Sequence, residues 1–385
     1  MRPLRHIDRL GLLLAIIGAA AFACLPFVVF KSNRIVPGVA VGFFDVLPPG
    51  AAAGVLALLI LAAAAALWVE EARLRLAAAL LSLIAVALCA AAAGNALTPP
   101  GNQVVRIAPG AGCWLLLTSV GLLAADAITR MRPGPLARVL SLAAFLGGAA
   151  LAFAHGTFDH LSVMREYAIN ADRFGYEMRR HVELAFGSLI AALLAALPLG
   201  ILCHRVPRLR GAILGSLNFV QTIPSIALFG ILMAPLAVLA SAVPYAAKIG
   251  IEGIGAAPAL VALFLYSLLP IVANTVAGLR RVSPAAVEAA RGMGMTGGQI
   301  LAAVELPLAL PVILTGVRIV LVQNIGLVTI AALIGAGGLG TFVFEGIGES
   351  ANDLVLLGAL PTVALAIAAA VLLDALIEVI DRSNA

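Results

Sequence analysis

Ten apolar runs, most of them about as long as a bilayer core is thick, fill this sequence: 10–30, 51–69, 76–97, 112–129, 139–155, 182–202, 211–234, 258–279, 312–334 and 354–380. About 20 apolar helical residues cross a hydrocarbon core. Backbone in lipid must satisfy its own hydrogen bonds, and an α-helix does so within one segment. The runs therefore predict an all-α, polytopic membrane protein with about ten transmembrane helices. Composition agrees, with 63% of residues hydrophobic and 11% charged, where soluble domains carry roughly 25% charged residues. The semi-apolar stretch 235–257 reads as re-entrant or interfacial. Arg2, Arg5 and Arg9 precede the first run, and Ala21 to Cys24 resembles a lipoprotein cleavage site. The run is longer than the roughly 7–15 residues of a signal-peptide core, so it reads as a first spanning helix.

The net charge of +5 is read loop by loop rather than as a nucleic-acid signal. Ten spans place both termini on one side. That side carries Arg2, Arg5, Arg9, Arg73, Arg75, Arg130, Arg132, Arg138, Arg205, Arg208, Arg210, Arg280, Arg281, Arg291, Arg318 and Arg382, sixteen in all. The other side carries eight: Lys31, Arg34, Arg106, Arg165, Arg173, Arg179, Arg180 and Lys248. By the positive-inside rule both termini are cytoplasmic. The most polar stretch, 156–181, reads as an outer loop. It separates a membrane extension of about five spans, 1–155, from a second membrane unit, 182–385.

Several chemistries are excluded or weak. Cys24, Cys89, Cys113 and Cys203 lie in or beside apolar runs without metal or disulfide spacing, so no metal site is expected. Gly292, Gly294 and Gly297 fit G-x-G-x-x-G, as do Gly335, Gly337 and Gly340, but neither set follows a strand in a βαβ unit. There is no Walker A motif, so nucleotide hydrolysis is expected on another polypeptide, with no cofactor on this one. No G-x-S-x-G or H-E-x-x-H is present, and the five histidines sit in loops or at span ends. The chain does not read as an enzyme. Asp126, Glu183, Arg318, Asp374 and Glu378 fall inside or near spans and read as interfacial charges, with Arg318 snorkelling.

The stretch 280–311 interrupts the apolar second half with helix signals of its own. Ser283-Pro284 reads as a capped helix start, and Ala285 to Arg291 as a short helix that Gly292 and Gly294 break. Thr296 and Gln299 have capping-box spacing for a second short helix, ended by Pro307. The stretch holds Arg280, Arg281, Glu288, Arg291 and Glu305. Burying five charges at a bilayer centre would cost roughly 12–18 kcal/mol, so the element lies at a surface, the cytoplasmic one by the charge count.

Polar residues also interrupt two spans. Asn218, Gln221, Thr222, Pro224 and Ser225 break the seventh, and Gln323 and Asn324 the ninth. Such groups must face other helices or a cavity. Helix–helix glue and the lining of a translocation path both satisfy that requirement.

The 280–311 element resembles the EAA loop of ABC importer permeases, whose pattern is E-A-A, three residues, G, nine residues, I-x-L-P. Glu288, Ala289 and Ala290 are followed by Gly294 and then by Val304, Glu305, Leu306 and Pro307; Val for Ile at 304 is the one departure. QTIPS at 221–225 and IGAGGLG at 334–340 resemble the glycine betaine/carnitine/choline branch. The likeness covers about 182–380, and the added N-terminal spans resemble YehY-type osmoprotectant permeases.

The resemblance implies a five-helix type I importer permease core at 182–385, with a cytoplasmic coupling loop at 280–311 seated on an ABC ATPase that binds ATP. It implies a second permease subunit in a heterodimer and a periplasmic solute-binding protein, with 156–181 as a periplasmic loop. It also implies location in a bacterial inner membrane among lipid, uptake of osmoprotectants such as glycine betaine, and no nucleic-acid partner. The remaining alternatives are an ABC importer for another small solute such as an amino acid, and a secondary transporter.

Overall fold

The computed structural model describes residues 8–34, 36–102, 104–248 and 250–383. Arg2, Arg5 and His6 lie outside the described residues. The chain divides into two compact units, residues 1–134 with 143–169, and residues 135–142 with 170–385.

The first unit contains α1 (Arg9–Cys24), β1 (Val28–Lys31), β2 (Val39–Val41), α2 (Phe43–Val46), α3 (Pro49–Trp68), α4 (Ala72–Leu97), β3 (Arg106–Pro109), α5 (Ala111–Met131), most of α6 (Pro135–Ala154) and α7 (Ser162–Ile169). The expected first span, 10–30, is helical only to Cys24, a length of 16 residues. Pro26 removes a backbone donor and disfavours helix at Leu25, which is extended at φ −118° and ψ 148°. The Val- and Phe-rich residues that follow pair instead as the central strand of an antiparallel sheet in the order β2-β1-β3, a feature that the helical expectation did not include. Phe27, Val28, Phe43, Val86, Ile107 and Cys113 form the buried core between sheet and helices.

One charged network ties the ends of three helices in this unit. Asp8 caps α1 by accepting from the N–H groups of Leu10 and Gly11. Arg75, 9% exposed, donates to Asp8 at 2.9 Å, to Asp126 at 3.5 Å and to the carbonyl of Val69 at 2.5 Å. Arg130 bonds Asp126 at 2.7 Å and also reaches Asp8. Burial by itself would raise the Asp8 carboxyl. The Arg75 hydrogen bond, the Gly11 N–H and the charges of Arg130 and Arg75 outweigh it and hold the group at about 2, against an ordinary 3.8. A carboxyl depressed on folding stabilises the fold above its ordinary value and stops doing so as pH falls through its folded value. The unit should therefore lose thermal stability as pH drops from 3.8 towards about 2, and Asp8→Asn should flatten that dependence. Both tryptophans, Trp68 and Trp114, lie in this unit, so their fluorescence follows its melting separately.

The second unit holds α8 (Ala171–Arg205), α9 (Pro207–Thr222), α10 (Ser225–Ala242), α11 (Pro244–Lys248), α12 (Ala256–Arg281), α13 (Pro284–Gly292), α14 (Gly297–Ile300), a π-helical segment Leu301–Glu305, α15 (Leu306–Ala331), α16 (Gly340–Gly348) and α17 (Asn352–Ser383). Its core lies where α8, α12 and α15 pack together, around Leu184, Ala192, Leu263, Ile271, Val320 and Ile325. The α9–α10 pair lies on α12, and α17 on α15. The expected seventh span, 211–234, is two helices. Ile223 before Pro224 is extended, which breaks the helix, and the second piece runs on to Ala242. The stretch 156–181, expected as a loop, is helical over Ser162–Ile169 and from Ala171 onward.

Among the described residues, nine helices are long and apolar enough to cross a membrane, and α1 is a shorter apolar one. Asp126, Glu183, Arg318, Asp374 and Glu378, the charges expected in or near spans, each have an oppositely charged partner, which lowers the cost of placing them there. Arg318 bonds Asp374 rather than snorkelling alone, and Glu378 bonds Arg138 and Arg382. Glu183 pairs with Arg179 at 3.2 Å and Arg180 at 3.7 Å.

Candidate functional site

The charged element between α12 and α15 is built almost wholly from local signals. Val282 turns the chain out of α12 in an extended conformation. Ser283 occupies the N-cap of α13, but its hydroxyl makes no capping bond; Pro284 in the first turn and the Ser283 carbonyl begin the helix instead. At the far end Gly294 lies at φ +80°. The Met295 N–H reaches the Ala290 carbonyl at 3.2 Å, and the Gly294 N–H reaches that of Arg291 at 3.0 Å. This is a Schellman closure with its left-handed residue at Gly294. The three-residue gap between Ala290 and Gly294 is therefore the distance from the last full helical turn to its terminating residue.

The second turn is capped as expected. The Thr296 hydroxyl accepts from the Gln299 N–H at 3.4 Å, and the Gln299 side chain accepts from the Thr296 N–H at 2.8 Å. Pro307, however, does not end this helix. Helical backbone continues from Gly297 to Ile334, a span of 38 residues. The widened π turn just before Pro307, with the Leu306 N–H on the Leu301 carbonyl, leaves room for a ring that would clash in a regular α-helix.

Two faces result. Glu288, Ala289 and Gly294 are exposed, as are Arg291, Met293 and Pro307. Ala290 is 2% exposed and faces inward, and Leu306 is half-buried against the cluster of Leu279, Ala309 and Ile313. The element is thus anchored from beneath while its outer face presents one acid, one base and an uncovered methionine. Glu305, which the sequence reading placed at the surface with the other charges, is 4% exposed. Arg205, at the end of α8, bonds it at 2.6 Å and offsets its desolvation. No local pattern links positions 205 and 305, so sequence reasoning missed this pair.

The polar residues of the interrupted spans fall into two places. Those at 218–225 surround the break between α9 and α10. Gln221 donates to the Tyr266 carbonyl at 2.8 Å, and the Tyr266 hydroxyl returns a bond to the Ile223 carbonyl. Asn218, Thr222 and Pro224 are exposed and Ser225 is half-buried. Asn324 lies elsewhere, fully buried among α8, α12 and α15. Its amide donates to the hydroxyls of Ser188 at 2.9 Å and Ser267 at 3.0 Å. Within this unit it acts as interhelical glue. Gln323, one position earlier, is half-buried. The structure therefore places Asn324 inside the α8–α12–α15 packing rather than at the α9–α10 break.

Among the described residues, no group of three or more His, Cys, Asp or Glu side chains is placed to hold a metal ion. Cys89, Cys113 and Cys203 are buried free thiols and Cys24 an exposed one.

Comparison with known proteins accounts for both halves of the chain. Residues 8–164 match the family described as "ABC transporter permease YehY, N-terminal domain". Residues 189–385 match "Binding-protein-dependent transport system inner membrane component". The glycine betaine/carnitine/choline transport system permease protein OpuCB of Bacillus subtilis is 35% identical over 213 residues, covering 55% of this chain and 89% of that protein. The osmoprotectant import permease protein OsmW of Salmonella typhimurium is 45% identical over 188 residues, 49% of this chain and 82% of that one. Among solved structures, an inward-facing MetNI methionine ABC transporter chain aligns over 54% of this chain and 95% of its own at 22% identity, with a TM-score of 0.48. The chain, with its multi-helix membrane core and its capped element at 283–305, belongs to the family of binding-protein-dependent transport system inner membrane components.

Proposed function

We propose that this chain is the permease subunit of an ATP-driven importer for quaternary-amine osmoprotectants, glycine betaine foremost. The observation that carries the coupling role is the outer face of α13, with Glu288, Ala289 and Gly294 exposed on an element whose inner face is fixed. On this reading a cytoplasmic ATPase receives that face and holds the ATP, and this chain binds no cofactor. A second permease subunit completes the passage, and a periplasmic binding protein delivers the solute. Both termini lie in the cytoplasm, a reading supported by the sixteen-to-eight division of basic residues. The path runs past the polar break at 218–225, with Gln323 as its contribution from α15. The substrate class rests on the names of relatives such as OpuCB and OsmW. A quaternary ammonium is best held by aromatic faces, and aromatic residues make up only 5% of this chain. Tight selection is accordingly assigned to the binding protein.

The test is uptake of labelled glycine betaine, choline and carnitine by cells that lack their own carriers and express the four proposed components. Concentrative uptake abolished by ATP depletion supports the reading. Uptake that survives ATP depletion but needs an ion gradient overturns it in favour of a secondary transporter. Uptake of an amino acid alone overturns the substrate class.

A further inference from the structure

The glycine-rich segment 335–339 joins α15 to α16, and one face of α8 grips it. Gly335, Gly337 and Gly338 all adopt positive φ, at +77°, +80° and +91°. Successive left-handed turns direct backbone N–H groups into a concavity suited to an anion. A carboxylate of the same chain fills it: Glu177, 7% exposed, accepts from the Gly338 N–H at 2.6 Å. One turn along α8, His181 is fully buried. Its Nδ1 accepts from the Leu339 N–H at 3.3 Å, and its Nε2 donates to the Ile325 carbonyl at 2.9 Å, so the neutral ring bridges loop and α15. One turn in the other direction, Arg173 forks onto Glu345 at 2.8 and 2.5 Å and lies 5.2 Å from the centre of the Phe342 ring. Arg180 donates to the Ala336 carbonyl at 3.3 Å. Residues 173, 177 and 181 form an i, i+4, i+8 stripe, and each reaches the segment that follows α15.

This loop is continuous with the proposed coupling element. The helix that carries it begins at Gly297, beside α13, and ends at Ile334. Its 38 residues extend about 57 Å at 1.5 Å per residue. A displacement at α13 therefore reaches 335–339 along one unbroken helical backbone, whose π turn and prolines all lie near its α13 end. The Gly337–Gly338 turn is held by exchangeable polar contacts, whereas the residues on either side of it are seated in apolar clusters, Ala336 in the main core and Leu339 with Phe342, Leu354 and Leu357 on Phe174 and Met178. The turn at 337–338 can leave its carboxylate while those apolar seats stay closed.

We infer that Glu177 and His181 are positioning residues that latch the 335–339 loop to α8, and that the transport cycle opens and recloses this latch. The inference rests on the importer reading above. It is tested by hydrogen exchange of the peptide covering 334–345 in the assembled transporter, nucleotide-free and trapped with ATP and vanadate, for the parent chain and for Glu177→Gln. The parent should exchange at 338–339 several-fold faster when trapped. Glu177→Gln replaces a charge-assisted bond with a neutral one and should already exchange about tenfold faster without nucleotide. Its ATPase activity should no longer depend on the binding protein. Parental protection that is unchanged on trapping overturns the gating role. So does Glu177→Gln with faster exchange in both states but intact coupling, the result that a merely structural contact gives. His181→Gln, which retains an acceptor for the Leu339 N–H, provides a second variant should the first fold poorly. The nucleotide-free exchange needs neither substrate nor ATP hydrolysis, so it still reads the latch if uptake of the proposed osmoprotectants fails.

Discussion

Glu288→Arg should insert normally, lose its partner ATPase on purification and reduce uptake to a few per cent of the parent. The side chain is exposed on α13 and contributes nothing to the buried face that Ala290 seals. Reversal of its charge therefore leaves the fold of the permease intact. It also places two cations, at 288 and 291, three positions apart on one helical face, a repulsion of only a few tenths of a kcal/mol. That is too small to unfold an element closed by a Schellman turn at one end and followed by a capping box. The effect must come from docking. Truncating one partner of a desolvated, hydrogen-bonded charge pair at an interface costs about 2–5 kcal/mol, and reversal adds like-charge repulsion. A loss of roughly 30-fold or more in association follows from even the lower figure. Detergent-extracted complexes, assayed for bound ATPase beside whole-cell uptake, separate a docking defect from a folding one. Full uptake by this variant would remove the coupling role from α13.

What the sequence disclosed here was the part built from neighbours in the chain. The cap at Thr296, the break at Gly294 and the exposed face at Glu288 each follow from residues within a few positions of one another, so spacing alone placed them. Pro307 was misread because its usual effect was absorbed by a π turn five residues long, which leaves no signature in composition. Pro26 had the opposite history: the apolar run concealed a helix stop followed by a strand whose partners lie at 39–41 and 106–109. Polarity at 156–181 argued for a loop, yet polarity excludes only lipid, not helix. From Ala171 that stretch is the N-terminal part of α8, and its polar residues include those that hold the glycine loop. Arg205 and Glu305 are 100 positions apart, and Asn324 lies 136 positions from Ser188 and 57 from Ser267, so only packing reveals these contacts.

Gly340→Val should abolish accumulation of folded protein, whereas Gly326→Ala should leave it unchanged. The two glycines lie at opposite ends of the same region and differ in what a Cβ would meet. At Gly326 there is nothing within 4 Å. At Gly340 a Cβ would lie 2.0 Å from the Thr329 carbonyl oxygen and 2.7 Å from the Thr329 carbonyl carbon and Cα. Overpacking against flexible side chains costs about 1–3 kcal/mol, but Thr329 presents backbone inside a helix and cannot swing aside. The cost should exceed that range, a large fraction of the roughly 5–15 kcal/mol that holds a domain folded. Size-exclusion of a fluorescent fusion, with thermal midpoints for whatever survives, measures both variants; monodisperse Gly340→Val at the parental midpoint would contradict the close approach. The comparison also explains why this stretch imitates a dinucleotide fingerprint without being one. Gly335, Gly337 and Gly338 are required for left-handed turns around a carboxylate of the same chain. Gly340 is required because α16 starts against the backbone of α15. Each glycine answers an intramolecular demand, and the carboxylate at the turn is this chain's own, which ties the motif to the closure of this loop.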